Sequence, residues 1–189
     1  KKMGITVLPP DINKSGNDFT VDRIERDGQP HSVIRFGLAA VKGVGAKAVT
    51  AITTARAQGD FEDIYDFCER VELSACNRAA IEALINCGTF DSTGAMRKAL
   101  NKILDGAIDF GTRAQQDKKT GQMGLFGESA DANQPHPPLP SDEWTEAEML
   151  AKEKAALGFY VTRHPLANSS ALIEACATSS TVDLSAMGE

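Results

Sequence analysis

The segment KGVG, from Lys42 to Gly45, constrains this chain's fold more than any other feature. Two glycines one residue apart let a backbone turn tightly with no side chain at its tip. The residues before it, GLAAV, favour a short helix. Apolar residues then recur at helical spacing, at Val49, Ile52 and Ala55. We therefore predict a second helix from about Ala46 to Ala57, ended by Gly59.

The same glycines also fit a relaxed dinucleotide-binding fingerprint, Gly43-x-Gly45-x-x-Ala48, with Glu62 and Asp63 near the distance of a ribose-binding acid. That fingerprint needs a buried strand before it and a βαβ unit around it, and the sequence predicts neither. We interpret the turn instead as a helix–hairpin–helix. The amides at the start of its second helix and the helix dipole then form a site for a phosphate oxygen.

The predicted DNA-binding residues are those of the turn and the first helical positions after it: Lys42, Gly43, Val44, Gly45, Ala46 and Lys47. Contacts of this kind go to the DNA backbone, so we expect binding that is independent of sequence and dependent on salt. The sequence leaves one alternative open. The hairpin could instead belong to a helical packing or protein-interaction module with no direct DNA contact.

The net charge of −6 at pH 7 argues against a nucleic-acid partner when it is taken alone. The charge is unevenly distributed, however. Four basic and no acidic residues lie between Arg35 and Gly59, whereas six acidic residues and no Lys or Arg lie between Gly127 and Ala151. The glycine turn therefore lies in a locally positive segment.

The cysteines form no Cys-x-x-Cys pair and have no histidine at ligand spacing; they are Cys68, Cys76, Cys87 and Cys176. We interpret them as buried or half-buried thiols in a reducing cytoplasm rather than as metal ligands. The carboxylates form no convincing metal-binding pair. We expect no metal, no cofactor and no membrane span in this chain.

The sequence around the turn predicts further elements. DFTVDRI and SVIRF alternate apolar and polar residues around ERDGQP, which predicts a β-hairpin, and ITVLPPDI before them predicts a short extended piece. Three more helices follow: Phe61–Val71 capped by Asp60, Arg78–Cys87 capped by Asn77, and a longer one lined by Met96, Leu100, Ile103 and Ala107 that frays at RAQQDKK.

The first two of these helices form a degenerate second unit, because their connection, ELSACN, lacks the Gly-x-Gly pattern. Arg78, at the start of its second helix, is a candidate either for a phosphate contact or for a solvated side chain. The predicted fold class is therefore mostly α, with a tandem helix–hairpin–helix module, a short N-terminal β-hairpin and a flexible acidic, proline-rich linker.

That linker runs from Thr120 to Asp142 and has no periodicity. After the linker we predict a further helix that ends near Leu157, and Thr145 and Glu148 provide its capping box. Within the linker, GQMGLFG holds Gln122, Leu125 and Phe126. Large apolar side chains gain nothing in such a segment unless a partner, or the fourth helix of this chain, buries them.

Four motifs, in order, resemble the alpha subunit of bacterial DNA polymerase III, a C-family polymerase: MGITVLPPDIN, IRFGLAAVKGVGAKAVTAI, DFEDIYDFCERVELSACNRAAIEALINCGTFD and EKAALGFYVTRHPL. The resemblance departs at YVTRHPL, where the family has Ser-Gly before His-Pro-Leu. It implies a division into the end of the fingers (1–35), the tandem helix–hairpin–helix module (36–117), a clamp-binding linker (118–143) and a C-terminal region preceding an OB-fold (144–189).

The resemblance also implies a function for this chain within a longer cytoplasmic polypeptide. The segment would hold the duplex behind the active site, while the catalytic aspartates for template-directed nucleotidyl transfer lie in the palm, outside this chain. Gln122, Leu125 and Phe126 match the Gln-x-x-(Leu/Met)-Phe peptide that binds the sliding clamp. The implied partners are duplex DNA, the sliding clamp and the remainder of the polymerase.

Overall fold

The computed structural model describes residues 6–26, 28–120, 136–169 and 175–176. A small sheet is followed by helices, as the sequence predicts. The strands are β1 (Val7–Leu8), β2 (Thr20–Arg26) and β3 (Gln29–Arg35). The α-helices are α1 (Ala46–Arg56), α2 (Ile64–Arg70), α3 (Arg78–Asn86), α4 (Arg97–Thr120) and α5 (Glu146–Leu157). Short 3-10 turns lie at Leu38–Ala40, Asp91–Thr93 and Ala167–Ser169.

The predicted β-hairpin is confirmed. Strands β2 and β3 pair antiparallel, with Thr20 opposite Arg35 and Arg26 opposite Gln29. Strand β1 is the predicted extended piece, and it pairs in parallel with the other edge of β3, so the strand order is β1-β3-β2. This parallel pairing joins residues far apart in the chain, and no local pattern in the sequence indicated it.

Helices α3 and α5 begin where predicted, on the Asn77 side chain and on the Thr145–Glu148 capping box. The prediction of Asp60 as the cap of α2 was wrong. The carboxylate of Asp63 accepts the amides of Tyr65 and Asp66, and the helix begins at Ile64. The reason lies in the N-terminal segment, where the Asn13 side chain exchanges two hydrogen bonds with the backbone of Phe61 and holds that residue outside the helix.

Helix α4 crosses α2 closely and shares one apolar core with the other helices. A Cβ atom on Gly111 would lie 2.4 Å from the carbonyl oxygen of Cys68, so only glycine fits at this crossing. The buried side chains of the core include Ile52, Ile64, Phe67, Ile81, Leu84, Leu100 and Leu104. Met96 was predicted to line α4, but it precedes the helix and is exposed.

Helix α4 also continues through the polar run RAQQDKK instead of fraying there. The Gln115 side chain explains part of this, because its amide donates to the carbonyls of Cys68 and Val71 at the end of α2, at 2.8 and 2.7 Å. The described end of the predicted linker is also docked on the helices. His136 contacts Asp63, and the Glu143 carboxylate accepts the first amides of α4.

Three of the four cysteines are buried, as predicted, whereas Cys176 is exposed. Burial raises the pKa of Cys68 and Cys76 to about 12 and that of Cys87 to about 11. These thiols therefore stay protonated at neutral pH. Within the described ranges, no three His, Cys, Asp or Glu residues are grouped to hold a metal ion, and none of the helices is long and apolar enough to cross a membrane.

Candidate nucleic-acid interface

The predicted hairpin is present at the Lys42–Gly45 turn. Leu38–Ala40 form a 3-10 turn and not a strand, so the residues before the glycines do not meet the dinucleotide fingerprint. Gly43 then adopts a left-handed conformation, with φ of +86°. The turn is anchored in the core by Leu38, Val41 and Val44, while Lys42, Gly43 and Gly45 are exposed.

The N-terminus of α1 is open. Gly45 is its N-cap residue and provides no side-chain hydrogen bond. The amides of Ala46, Lys47 and Ala48 donate to no acceptor in the described part of the chain. Free amides at a helix start carry the positive end of the helix dipole and are a suitable site for an anion.

The other four α-helices differ from α1 at this end. In each of them a side-chain oxygen accepts one or two of the first amides: Asp63 for α2, Asn77 for α3, Glu143 for α4 and Thr145 for α5. Such caps are each worth about 1 kcal/mol of stability. Among the α-helices that the structure describes, α1 is thus the one whose N-terminus has no side-chain cap.

The fold itself does not require glycine at position 45. Its φ of −79° and ψ of 164° are open to any residue, and nothing lies within 4 Å of the position that a Cβ atom would occupy. A side chain at an N-cap projects toward the first helical amides. Glycine at this position keeps the space in front of those amides empty.

Two exposed lysines flank the open amides, but their surroundings differ. Lys47 lies on the first turn of α1 and is exposed. Lys42 is anchored, because its amide donates to the carbonyl of Ala156 in α5 at 2.9 Å. The Lys42 side chain also lies beside Gly158. If Gly158 carried a Cβ atom, that atom would lie 3.5 Å from Nζ and 3.6 Å from Cε of Lys42. No local pattern in the sequence indicated this contact, which joins the hairpin to a helix more than a hundred residues further along the chain.

The two arginines of the positive segment are committed to internal contacts. Arg35 is buried and paired with Asp22, with 2.8 Å between Nε and Oδ2. Arg56 donates through Nη1 to the carbonyls of Ile12 and Ser15, at 2.8 and 2.9 Å. The positive charge of the segment that is available to a ligand therefore comes from Lys42 and Lys47.

Arg78 was the other candidate for a phosphate contact. Its guanidinium lies 2.6 Å from a carboxylate oxygen of Asp105 and 2.7 Å from one of Glu82. Its hydrogen bond to Asp105 and the attraction of both acids raise the pKa of Arg78. A phosphate at this position would compete with two carboxylates, so the geometry gives this candidate little support. Glu82 lies one helical turn away in the sequence, but Asp105 lies on α4 and no local pattern pointed to it.

The clamp-binding candidates Gln122, Leu125 and Phe126 lie outside the described residues. The structure describes the chain on both sides of them. Helix α4 runs up to Thr120, and the chain is described again from His136, which packs against α2. The clamp-binding motif stays a prediction from the sequence.

Residues 4–100 match the helix–hairpin–helix motif family, and the chain belongs to that family. The resemblance predicted from the motifs is confirmed as well. The chain is 39% identical over 172 residues to the DNA polymerase III subunit alpha of Mycobacterium tuberculosis and 38% over 171 residues to that of Vibrio cholerae. It is 42% identical over 163 residues to that of Neisseria meningitidis serogroup B.

These matches cover 86–88% of this chain but 14% of each relative's length. The chain therefore spans a small part of the curated relatives that it matches.

Proposed function

We propose that this chain is a non-catalytic segment of a longer bacterial DNA polymerase and that it binds duplex DNA through the Lys42–Lys47 turn. The observation that carries the proposal is the open N-terminus of α1, where glycine takes the place of a capping side chain. Membership of the helix–hairpin–helix family and similarity to DNA polymerase III alpha subunits support a DNA ligand.

The proposed contact places one phosphate oxygen in front of the free amides of Ala46, Lys47 and Ala48. The dipole of α1 and the ammonium group of Lys47 attract the phosphate charge. Backbone amides that bind a phosphate make no contact with the base edges, so this contact positions the segment on DNA without selecting a sequence. Each phosphate bound also displaces counterions, which makes the affinity fall with salt.

The same proposal assigns the other functions to the rest of the polypeptide. Template-directed DNA synthesis would be carried out outside this segment, in the bacterial cytoplasm. The segment itself would need no cofactor, and its four predicted divisions, 1–35, 36–117, 118–143 and 144–189, would follow those of the polymerase family.

Fluorescence anisotropy of two labelled duplexes of unrelated sequence, titrated with the chain at several salt concentrations, tests the DNA contact. We expect equal affinity for the two duplexes and a log–log salt slope of about −1 to −2, as for one or two phosphates. Absence of binding at the lowest salt concentration would contradict the proposal. That result would favour the helical packing module as the function of the hairpin.

We also propose that Gln122, Leu125 and Phe126 tether the segment to a sliding clamp. The support is the sequence pattern, in which two large apolar residues lie in a polar stretch and a glutamine precedes them. Leu125 and Phe126 would fill an apolar pocket, as anchor residues of short peptides do.

Surface plasmon resonance on an immobilised bacterial clamp tests whether these residues bind the clamp. Phe126→Ala should abolish binding and the control Met123→Ala should retain it, whereas equal binding by both variants would refute the assignment.

A further inference from the structure

Helix α5 reaches the hairpin although it lies on the far side of residues 121–135 in the sequence. The carbonyl of Ala156, in its last turn, accepts the amide of Lys42 at 2.9 Å. Ala156 and Leu157 are buried in the same core as the hairpin residues Val41 and Val44. The end of α5 is therefore packed against the start of the glycine turn.

The chain after α5 is tied back onto the helix by one buried carboxylate. Glu153 has no exposed surface, and it accepts the amides of Val161 and Thr162 at 2.5 and 2.9 Å and the Thr162 hydroxyl at 2.5 Å. Arg97, at the start of α4, lies 3.8 Å from the same carboxylate. A fully buried carboxylate bound in this way strongly favours one conformation of the loop that includes Gly158.

A turn built on two glycines needs such support from outside. Glycine has the widest conformational range of all residues, so Gly43 and Gly45 restrict the path of the backbone into α1 less than other residues would. Within the turn, the amide of Val44 donates to the carbonyl of Val41, inside the hairpin, and the amide of Lys42 donates to the carbonyl of Ala156, outside it. The second of these is the one that fixes the turn relative to another helix.

We infer that α5, held by Glu153, is a positioning element of the hairpin and sets the direction in which the open amides of α1 meet a phosphate. This inference rests on the proposed DNA contact. It divides the two lysines by role, since Lys42 is the anchor of the turn through its amide and Lys47 is the cation nearest the ligand. Glu153 contacts no DNA in this account and acts through Ala156 and Lys42.

The test combines DNA binding with a local readout in the whole chain. In Glu153→Gln, we expect the amide of Lys42 to exchange with solvent about tenfold faster, as expected for a weakened hydrogen bond. The salt slope of DNA binding should fall in magnitude by about 0.9, the value of one lost phosphate contact. A loss of stability alone lowers the folded fraction but leaves that slope unchanged.

A second pair of variants keeps the inference testable if Glu153→Gln does not fold. Gly158 and Gly94 both end a helix in the left-handed conformation, with φ of +92° and +79°. Alanine strains both positions similarly, but only Gly158 adjoins Lys42. Gly158→Ala should therefore speed exchange of the Lys42 amide and reduce the salt slope, whereas Gly94→Ala should do neither.

The outcomes separate this inference from the function on which it rests. If the unaltered chain does not bind DNA, the proposed function fails and the inference fails with it. If it binds DNA, and Glu153→Gln or Gly158→Ala leaves the salt slope at the unaltered value, the proposed function stands and the positioning role of α5 is refuted. Unchanged exchange of the Lys42 amide in a folded variant refutes it equally.

Discussion

Gly43 and Gly45 lie on either side of Val44 in the motif but are glycine for different reasons. Gly43 has a positive φ that other residues adopt only with strain, so the fold requires it. Gly45 has an ordinary conformation with open space around it, so a side chain there would affect mainly a ligand. Lys42 and Lys47 likewise look equivalent in the sequence, but only Lys42 lies against α5.

Lys47→Ala should weaken DNA binding and reduce the magnitude of the salt slope by about 0.9, because one ammonium near the phosphate is lost. Lys118→Ala removes the same charge from the last turn of α4 and serves as the matched control. Anisotropy titrations at four salt concentrations measure both variants. An equal change of slope in the two would mean that only the net charge of the chain matters.

At the scale of elements, α4 depends on two features of its crossing with α2. Gly111 lets the backbones approach, and Gln115 bonds the last carbonyls of α2. The segment that begins at His136 returns to the same pair of helices, where His136 lies between Asp63 and Glu69 and against the rings of Tyr65 and Phe110. Close backbone contact and a few polar bonds therefore add to the apolar core in fixing how α2 and α4 cross.

Gly111→Ala should destabilise the chain by roughly 1–3 kcal/mol, because its Cβ atom would overlap the Cys68 carbonyl at the crossing. Gly106→Ala, on the same helix with nothing within 4 Å, is the matched control. This variant should gain about 0.5–1 kcal/mol from the higher helix propensity of alanine. Urea unfolding gives both values, and a neutral Gly111→Ala would show that the helices are not in close contact there.

His136 makes stability depend on pH. Partial burial lowers the pKa of His136, but its hydrogen bond to Asp63 and the attraction of Asp63 and Glu69 outweigh this, so the pKa is raised in the folded chain. A raised histidine pKa adds stability that is fully present below the unfolded value of about 6.5 and is lost as pH rises through the folded value.

The difference in unfolding free energy between the unaltered chain and His136→Gln should therefore be largest below about pH 6.5 and shrink at higher pH. Urea unfolding at a series of pH values measures it. Glu69→Gln removes one attracting carboxylate, so it should make the pH-dependent part smaller. A difference that grows with pH would have the wrong sign and would refute the ion pair.

At the scale of the whole molecule, the sequence predicted what depends on neighbouring residues. Local patterns indicated the glycine hairpin before α1, the helix caps on Asn77 and Thr145, and the β-hairpin of β2 and β3. These predictions are confirmed. The features that the sequence did not reveal join distant residues. The pairing of β1, the Glu143 cap of α4, the ion pair between Arg78 and Asp105 and the contact of α5 with Lys42 are of this kind.

The overall charge of −6 does not decide whether the chain binds DNA, because the proposed site is local. It does limit affinity, since the rest of the surface repels phosphates. We expect the isolated chain to bind DNA weakly, with a dissociation constant of about 1 μM or higher at physiological salt, as for other non-specific binders. Within a longer polypeptide, tethering to other DNA-binding parts would raise the effective concentration of the hairpin at the duplex.

Giving α1 a side-chain cap like those of the other helices tests most directly whether its open amides bind DNA. Gly45→Asp places a carboxylate at an N-cap with open space around it, so stability should rise by about 0.5 kcal/mol. The same carboxylate would occupy the proposed phosphate site, so DNA binding in the anisotropy assay should be lost. Increased stability together with unchanged DNA affinity would contradict the account, because the open amides of α1 would then have no part in binding.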